Sequence, residues 1–112
     1  MKLAVIGSRE LYIEVEDMHK YIPAQVTELV SGGARGIDSC ARMYAVAYNL
    51  PIKEFLPDYP RFGRAAPLKR NLQIIAYADE ILAFWDGHSS GTAYILRQAE
   101  KMGKKTRVVL TQ

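Results

Sequence analysis

The residues of this chain best suited to chemistry fall in two short stretches, SGGARG at 31–36 and HSSGT at 88–92. Each stands between an apolar run and the start of a predicted helix. Glycine lets a ligand approach the backbone closely, and the first turn of a helix presents free N–H groups at the positive end of its dipole. Each stretch is therefore a candidate anion cradle. In the second, the hydroxyls of Ser89, Ser90 and Thr92 add donors suited to phosphate oxygens, and Gly91 leaves room for them. In the first, Gly32, Gly33, Ala34 and Gly36 form the turn, and Arg35 is a candidate countercharge, as is Arg70 further along the chain. A tight turn and a helix cap would use the same residue types, but two such loops brought to one edge favour binding.

Several neighbours carry two readings. Asp38 either braces the start of its helix or accepts a hydrogen bond from a sugar hydroxyl, and Asp86 either shapes an Asp-Gly turn or does the same. Tyr59 and Phe62 are candidates to stack on a base, whereas Trp85 ends a core strand and suits packing as well. Arg9, Arg35, Arg61, Arg64, Lys69 and Arg70 gather at the edge where ligands should bind, so single-stranded nucleic acid is an alternative partner. His88 has no evident group to orient it, and no catalytic residue is assigned. There is no histidine cluster for a metal. GGARG is neither G-x-G-x-x-G nor a Walker loop, which leaves dehydrogenase and ATPase readings without support.

Placing these residues together requires a sheet. Short apolar runs at KLAVI (2–6), QVTELVSG (25–32), IKEFL (52–56), EILAFW (80–85) and TRVVLT (106–111) predict five strands. Helical spacing predicts helices over 13–22, 36–48 and 67–77, and a fourth that Ser89 or Ser90 caps and Gly103 ends. Residues 57–66, with Pro, Gly and two arginines, read as a polar loop. The alternation calls for an α/β fold: a parallel sheet with right-handed crossovers and helices on both faces. Ligands bind such sheets outside the carboxyl ends of the strands. That rule brings Gly7, Ser8 and Arg9 beside the two glycine loops, with Lys69, Arg70 and Asn71 at the same edge.

The 112 residues, 49% hydrophobic and 24% charged with a net charge of +3, fit one globular domain. The apolar runs are too short for a bilayer and no cleavable signal is evident, so a cytoplasmic protein with no membrane partner is expected. The single cysteine, Cys40, falls on the apolar face of a predicted helix and is expected to be buried.

In order and spacing, VIGSRE, VSGGARGID, PLKRNLQIIAYADEILAFW and GHSSGTAYILRQAEKMGKK resemble the SLOG superfamily, which unites the DNA-processing protein DprA (Smf) with the LOG phosphoribohydrolases. The nearest likeness is to its small stand-alone YspA/YpsA-related domains of unknown function. The resemblance implies a Rossmann-like three-layer sandwich with a five-stranded parallel sheet of order 3-2-1-4-5. It also implies a nucleotide-like ligand between the first, second and fourth loops, with no cofactor assigned, and a homo-oligomer. Gly7, Ser8 and Arg9 would border that ligand, Gly32–Gly36 and Asp38 would form a second wall, Ser90, Gly91 and Thr92 would hold phosphate, and Arg70 and Asn71 would shape the pocket edge. LOG enzymes place a catalytic glutamate where this chain has Ile95, so LOG-type N-glycosidic cleavage is disfavoured. A sensor or carrier of a phosphorylated ligand is the function expected. DprA-type single-stranded DNA or RNA binding and a nucleotide hydrolase are the alternatives.

Overall fold

The computed structural model describes residues 1–111. Five strands, β1 (Lys2–Gly7), β2 (Glu28–Ser31), β3 (Ile52–Glu54), β4 (Glu80–Trp85) and β5 (Lys105–Leu110), form one sheet in the order β3-β2-β1-β4-β5. Every neighbouring pair is parallel, with Ala4 opposite both Val30 and Ile81. This is the Rossmann-like order, and it sets β1 at the centre, where the chain reverses the direction in which strands are added.

Alternate residues of β1 face opposite layers. Leu3 and Val5 pack with Met18, Ile37, Cys40, Ala41 and Tyr44, under the helices α1 (Val15–His19) and α2 (Ile37–Ala47). Ala4 and Ile6 pack with Ile74, Ile75, Ile95 and Ala99, under α4 (Ala66–Tyr77) and α5 (Ser90–Lys101). Cys40 is buried and free, as its helical spacing requires, and its Sγ lies 3.4 Å from the Ile13 N–H. No helix of the described residues is long and apolar enough to cross a membrane.

Five elements differ from the sequence expectation. The first helix is five residues rather than the ten of 13–22, because beyond His19 the N–H groups of Lys20, Tyr21 and Ile22 bond three residues back, to Asp17, Met18 and His19, in turns that lead to Pro23. Residues 57–66 are not an open loop: α3 (Tyr59–Phe62), capped by Asp58 accepting from the Arg61 N–H at 3.3 Å, runs through a 3₁₀ turn (Gly63–Ala65) into α4. The last strand is not covered on both faces. It is the sheet edge, and Val108 and Leu110 are 43% and 73% exposed. The strand segments at 25–32 and 52–56 are also shorter than expected, pairing only over Glu28–Ser31 and Ile52–Glu54.

His19, at the end of α1, packs against α2. Its Nδ1 lies 2.7 Å from the Tyr44 hydroxyl and its ring stacks on Tyr48 at 4.4 Å between centroids.

Candidate functional site

A cavity of about 390 Å³ opens at the carboxyl ends of the central strands. Ile6, Gly7 and Ser8 at the end of β1 contribute to its wall, together with Gly32, Ala34 and Asp38 on the β2 side and Ser89–Thr92 on the β4 side. Pro67, Leu68, Arg70, Asn71 and Ile74 of α4 and Ile95 of α5 complete the enclosure, with Arg9 and Glu10 beside them. The cavity thus straddles β1 at the point of reversal, the position that ligands of open α/β sheets occupy.

The two candidate cradles turn out to differ. In SGGARG the Gly33 and Ala34 N–H groups, and the Ile37 N–H that follows, are already used within the protein. Ala34 N–H donates to Asp38 Oδ2 at 3.1 Å, Gly33 N–H to Ser31 Oγ at 3.4 Å, and Ile37 N–H to the Ser8 carbonyl at 3.4 Å. The anion held by this turn is the chain's own carboxylate. Gly36 takes φ 73°, a conformation open to glycine, and packs against the Ser8 and Arg9 carbonyls where a side chain would collide.

At α5 the donors are free. Ser90, Gly91 and Thr92 occupy the first helical positions, whose N–H groups have no intrahelical acceptor, and no side chain caps them. Ser89 stands at the cap position but directs its hydroxyl elsewhere, to Asp86 at 2.9 Å and to Ser8 Oγ at 2.8 Å. A carboxylate only accepts, so Ser89 gives Asp86 its single proton and Ser8 donates to Ser89. Asp86 also accepts from the His88 and Ser89 N–H groups, both at 2.8 Å, and these bonds pull its pKa down to about 2. Trp85 Nε1 donates to the Ser89 carbonyl at 3.1 Å. Asp86 and Trp85 therefore fix the loop rather than line the cavity.

The side chains of α4 and α5 add further donors. Thr92 is 5% exposed, and no protein group shares a hydrogen bond with its hydroxyl among the described residues. Because it is not sealed off from solvent either, the surface it keeps belongs to the cavity it lines. Asn71, 8% exposed, accepts from Arg70 Nε through Oδ1 at 2.9 Å. That bond fixes the amide orientation, since Nε can only donate, and leaves the Asn71 NH₂ without a protein partner on the cavity side.

Arg70 reaches across the sheet edge, its Nη1 donating to the Gly32 carbonyl at 2.7 Å and to the Phe55 carbonyl at 3.4 Å. It is thus largely committed to the backbone rather than free as a countercharge. Arg70 Nη1 and Asp38 Oδ2 lie 2.7 and 3.0 Å from where a Gly32 side chain would begin, so only glycine leaves both groups in place. Burial raises the Asp38 pKa, against the Ala34 bond and the nearby Arg70 and Arg9 charges, which lower it. Burial likewise lowers that of Arg70.

Of the residues expected to bind ligand, Gly7, Ser8, Arg9, Gly32, Ala34, Asp38, Arg70, Asn71, Ser89, Ser90, Gly91 and Thr92 line the cavity; Gly33, Arg35, Gly36 and Asp86 do not. Arg35 instead pairs with Glu10 on the surface, where an exposed ion pair contributes little. Tyr59, Arg61, Phe62, Arg64, Lys69 and Trp85 lie outside the cavity, and no aromatic ring lines it. Arg61 packs over the Phe62 ring at 5.1 Å. Sequence reasoning did not propose Ile6, Glu10, Pro67, Leu68, Ile74 and Ile95 as binding residues; the apolar ones read as core, and their helical or strand spacing alone cannot say which core residues border a void. Among the described residues no group of histidine, cysteine and carboxylate side chains could hold a metal.

No protein-family model matches the chain, and no solved structure matches it. It is 36% identical over 81 residues to the Gene 61 protein of Mycobacterium phage D29, an alignment covering 67% of this chain and 65% of that protein. The chain thus spans about two thirds of the length of the relative it matches.

Proposed function

We propose that the protein binds a phosphorylated nucleotide or nucleotide-derived small molecule at the carboxyl edge of its sheet, as a sensor or carrier. The observation that carries this reading is the set of unpartnered donors on one side of the cavity: the Thr92 hydroxyl, the Asn71 amide and the first N–H groups of α5. These donors border the cavity instead of being sealed inside the protein, and donors alone, beside the positive end of a helix dipole, suit an anion with several oxygens. The cavity volume falls at the low end of the 300–1,000 Å³ usual for small-molecule sites. That favours one mononucleotide-sized ligand over a dinucleotide. The SLOG-like motifs support the same choice, and the apolar Ile95, at the position where LOG enzymes keep their glutamate, favours binding without N-glycosidic cleavage.

Thermal unfolding with inorganic phosphate and a panel of nucleoside monophosphates tests this. Stabilisation is expected to follow RT ln(1 + [L]/Kd). Thr92→Val, which keeps the shape and removes the hydroxyl, is expected to weaken binding about tenfold. Stabilisation by oligonucleotides alone, with a steep salt dependence, would replace this reading with the nucleic-acid one.

A further inference from the structure

We propose that β5 pairs with β5 of a second copy of this chain, antiparallel about a twofold axis at Val108, so that two five-stranded sheets become one.

The two edges of the sheet are built differently. An edge strand offers a row of unpaired N–H and C=O groups, and folded proteins guard it with short length, proline or charge. β3 has all three guards: it is three residues long, lies between Pro51 and Pro57, and carries the exposed Lys53 at its middle. β5 is six residues long, contains no proline, and is charged only in its first half, at Lys105 and Arg107. Its second half is Val108, Val109 and Leu110, of which Val108 and Leu110 are exposed. The Thr111 N–H donates inward, to the Trp85 carbonyl at 2.8 Å. Backbone groups alternate in direction along a strand, so those of Thr106, Val108 and Leu110 point outward.

Antiparallel pairing centred on Val108 uses all three. Val108 then faces Val108 of the other copy, and Thr106 faces Leu110. Val109 packs on the α1 and α2 side, so Val108 and Leu110 project on the α4 and α5 side, and the pairing covers both. On the opposite face Lys105 meets Thr111 and Arg107 meets Val109. Val109, Leu110 and Thr111 line a second cavity, of about 540 Å³, together with Glu14, Asp17 and Lys20. Asp17 pairs with Lys20 at 3.1 Å, which leaves Glu14 as the charge in excess. Each β5 thus starts basic and ends beside acid. An antiparallel second copy brings opposite charges together at both ends, whereas a parallel one would set Lys105 against Lys105. A twofold pair also consumes the edge, so the assembly closes at two. None of these residues lines the cavity at the carboxyl ends of the central strands, so dimerisation and phosphate binding are tested apart.

Sedimentation velocity of the full chain across micromolar concentrations is expected to show a reversible monomer–dimer equilibrium. Val108→Lys sets two like charges opposite each other at the axis and is expected to weaken the dimer about tenfold or more, with an unchanged far-ultraviolet circular dichroism spectrum. Residues of a hydrogen-bonded antiparallel pair stand about 5.5 Å apart at Cα, within reach of a disulfide. Val108→Cys is therefore expected to oxidise to a covalent dimer, and Thr106→Cys, which faces Leu110 instead, is not. Cys40 is buried and does not compete. A wild type that stays monomeric, a dimer that Val108→Lys leaves intact, a Val108→Cys protein that forms no disulfide dimer, or growth into larger assemblies overturns the proposal.

Discussion

Burial works against the charge on Asp38, the carboxyl that closes the SGGARG turn. Its pKa is raised on folding, so the stability linked to it is present at acid pH and is lost as pH rises through the folded-state value. Replacing it by asparagine removes that loss while keeping an acceptor for Ala34. Asp38→Asn is therefore expected to unfold at a higher temperature than the wild type at pH 7, with the gap closing as pH falls toward about 4. Thermal melts across that interval check it, and a variant less stable at neutral pH would mean that the Arg70 and Arg9 charges outweigh burial. Burial disfavours the Arg70 charge as well, but its hydrogen bonds hold the backbone. Arg70→Met would orphan the Gly32 carbonyl and release the Asn71 amide, costing about 2–3 kcal/mol by denaturant unfolding. Both residues stood out in the sequence by type and place. What spacing could not reveal is that one would fill its own loop and the other would grip backbone, since those outcomes depend on side-chain direction across elements distant in the chain.

Loops and helix starts were legible where local chemistry decides them and obscure where neighbours do. The run EILAFW gave β4 its full length, because a strand buried on both faces is apolar throughout. TRVVLT reads as a strand from its central Val108, Val109 and Leu110, yet it lies at the sheet edge with most of its residues exposed, and the flanking Thr106, Arg107 and Thr111 are the polar mark of that edge. The short α3 had a local mark, Asp58 two residues before Pro60, which is a cap followed by a proline in the first turn. In the loop after β4, Asp86 gathers three donors and is held near pKa 2. Its depressed pKa means that its stabilisation is present above the ordinary carboxylate value and disappears as pH falls through about 2. Asp86→Asn should thus be less stable than the wild type at neutral pH, and the two acid-unfolding curves should converge toward pH 2. The same variant should also bind phosphate more weakly, because Ser89 and the α5 N-terminus lose their anchor.

For the molecule as a whole, the parallel sheet and the edge that holds the cavity were readable from the alternation of apolar runs and helical spacing, whereas the strand order came only from the resemblance to SLOG domains. The cavity's apolar lining was not readable, because a residue that borders a void and one that fills the core have the same type and period. Stability should be distributed accordingly. In the dilute monomer, amide exchange is expected to be slowest in β1 and β4, whose middle residues are buried on both faces, and much faster in β5 and α1. Equal protection of β5 at higher concentration would show that its exposed edge is covered in solution.

The central position of β1 also orders events in time. Its residues Leu3 to Gly7 pair with Glu80 to Phe84, far along the chain. During synthesis the first strand must wait, apolar and half-paired, until β4 has emerged. Contacts of such long sequence separation form slowly, and an unpaired apolar strand is exposed to misassociation meanwhile. The cavity floor is among the first parts of the protein to be made and among the last to become a floor.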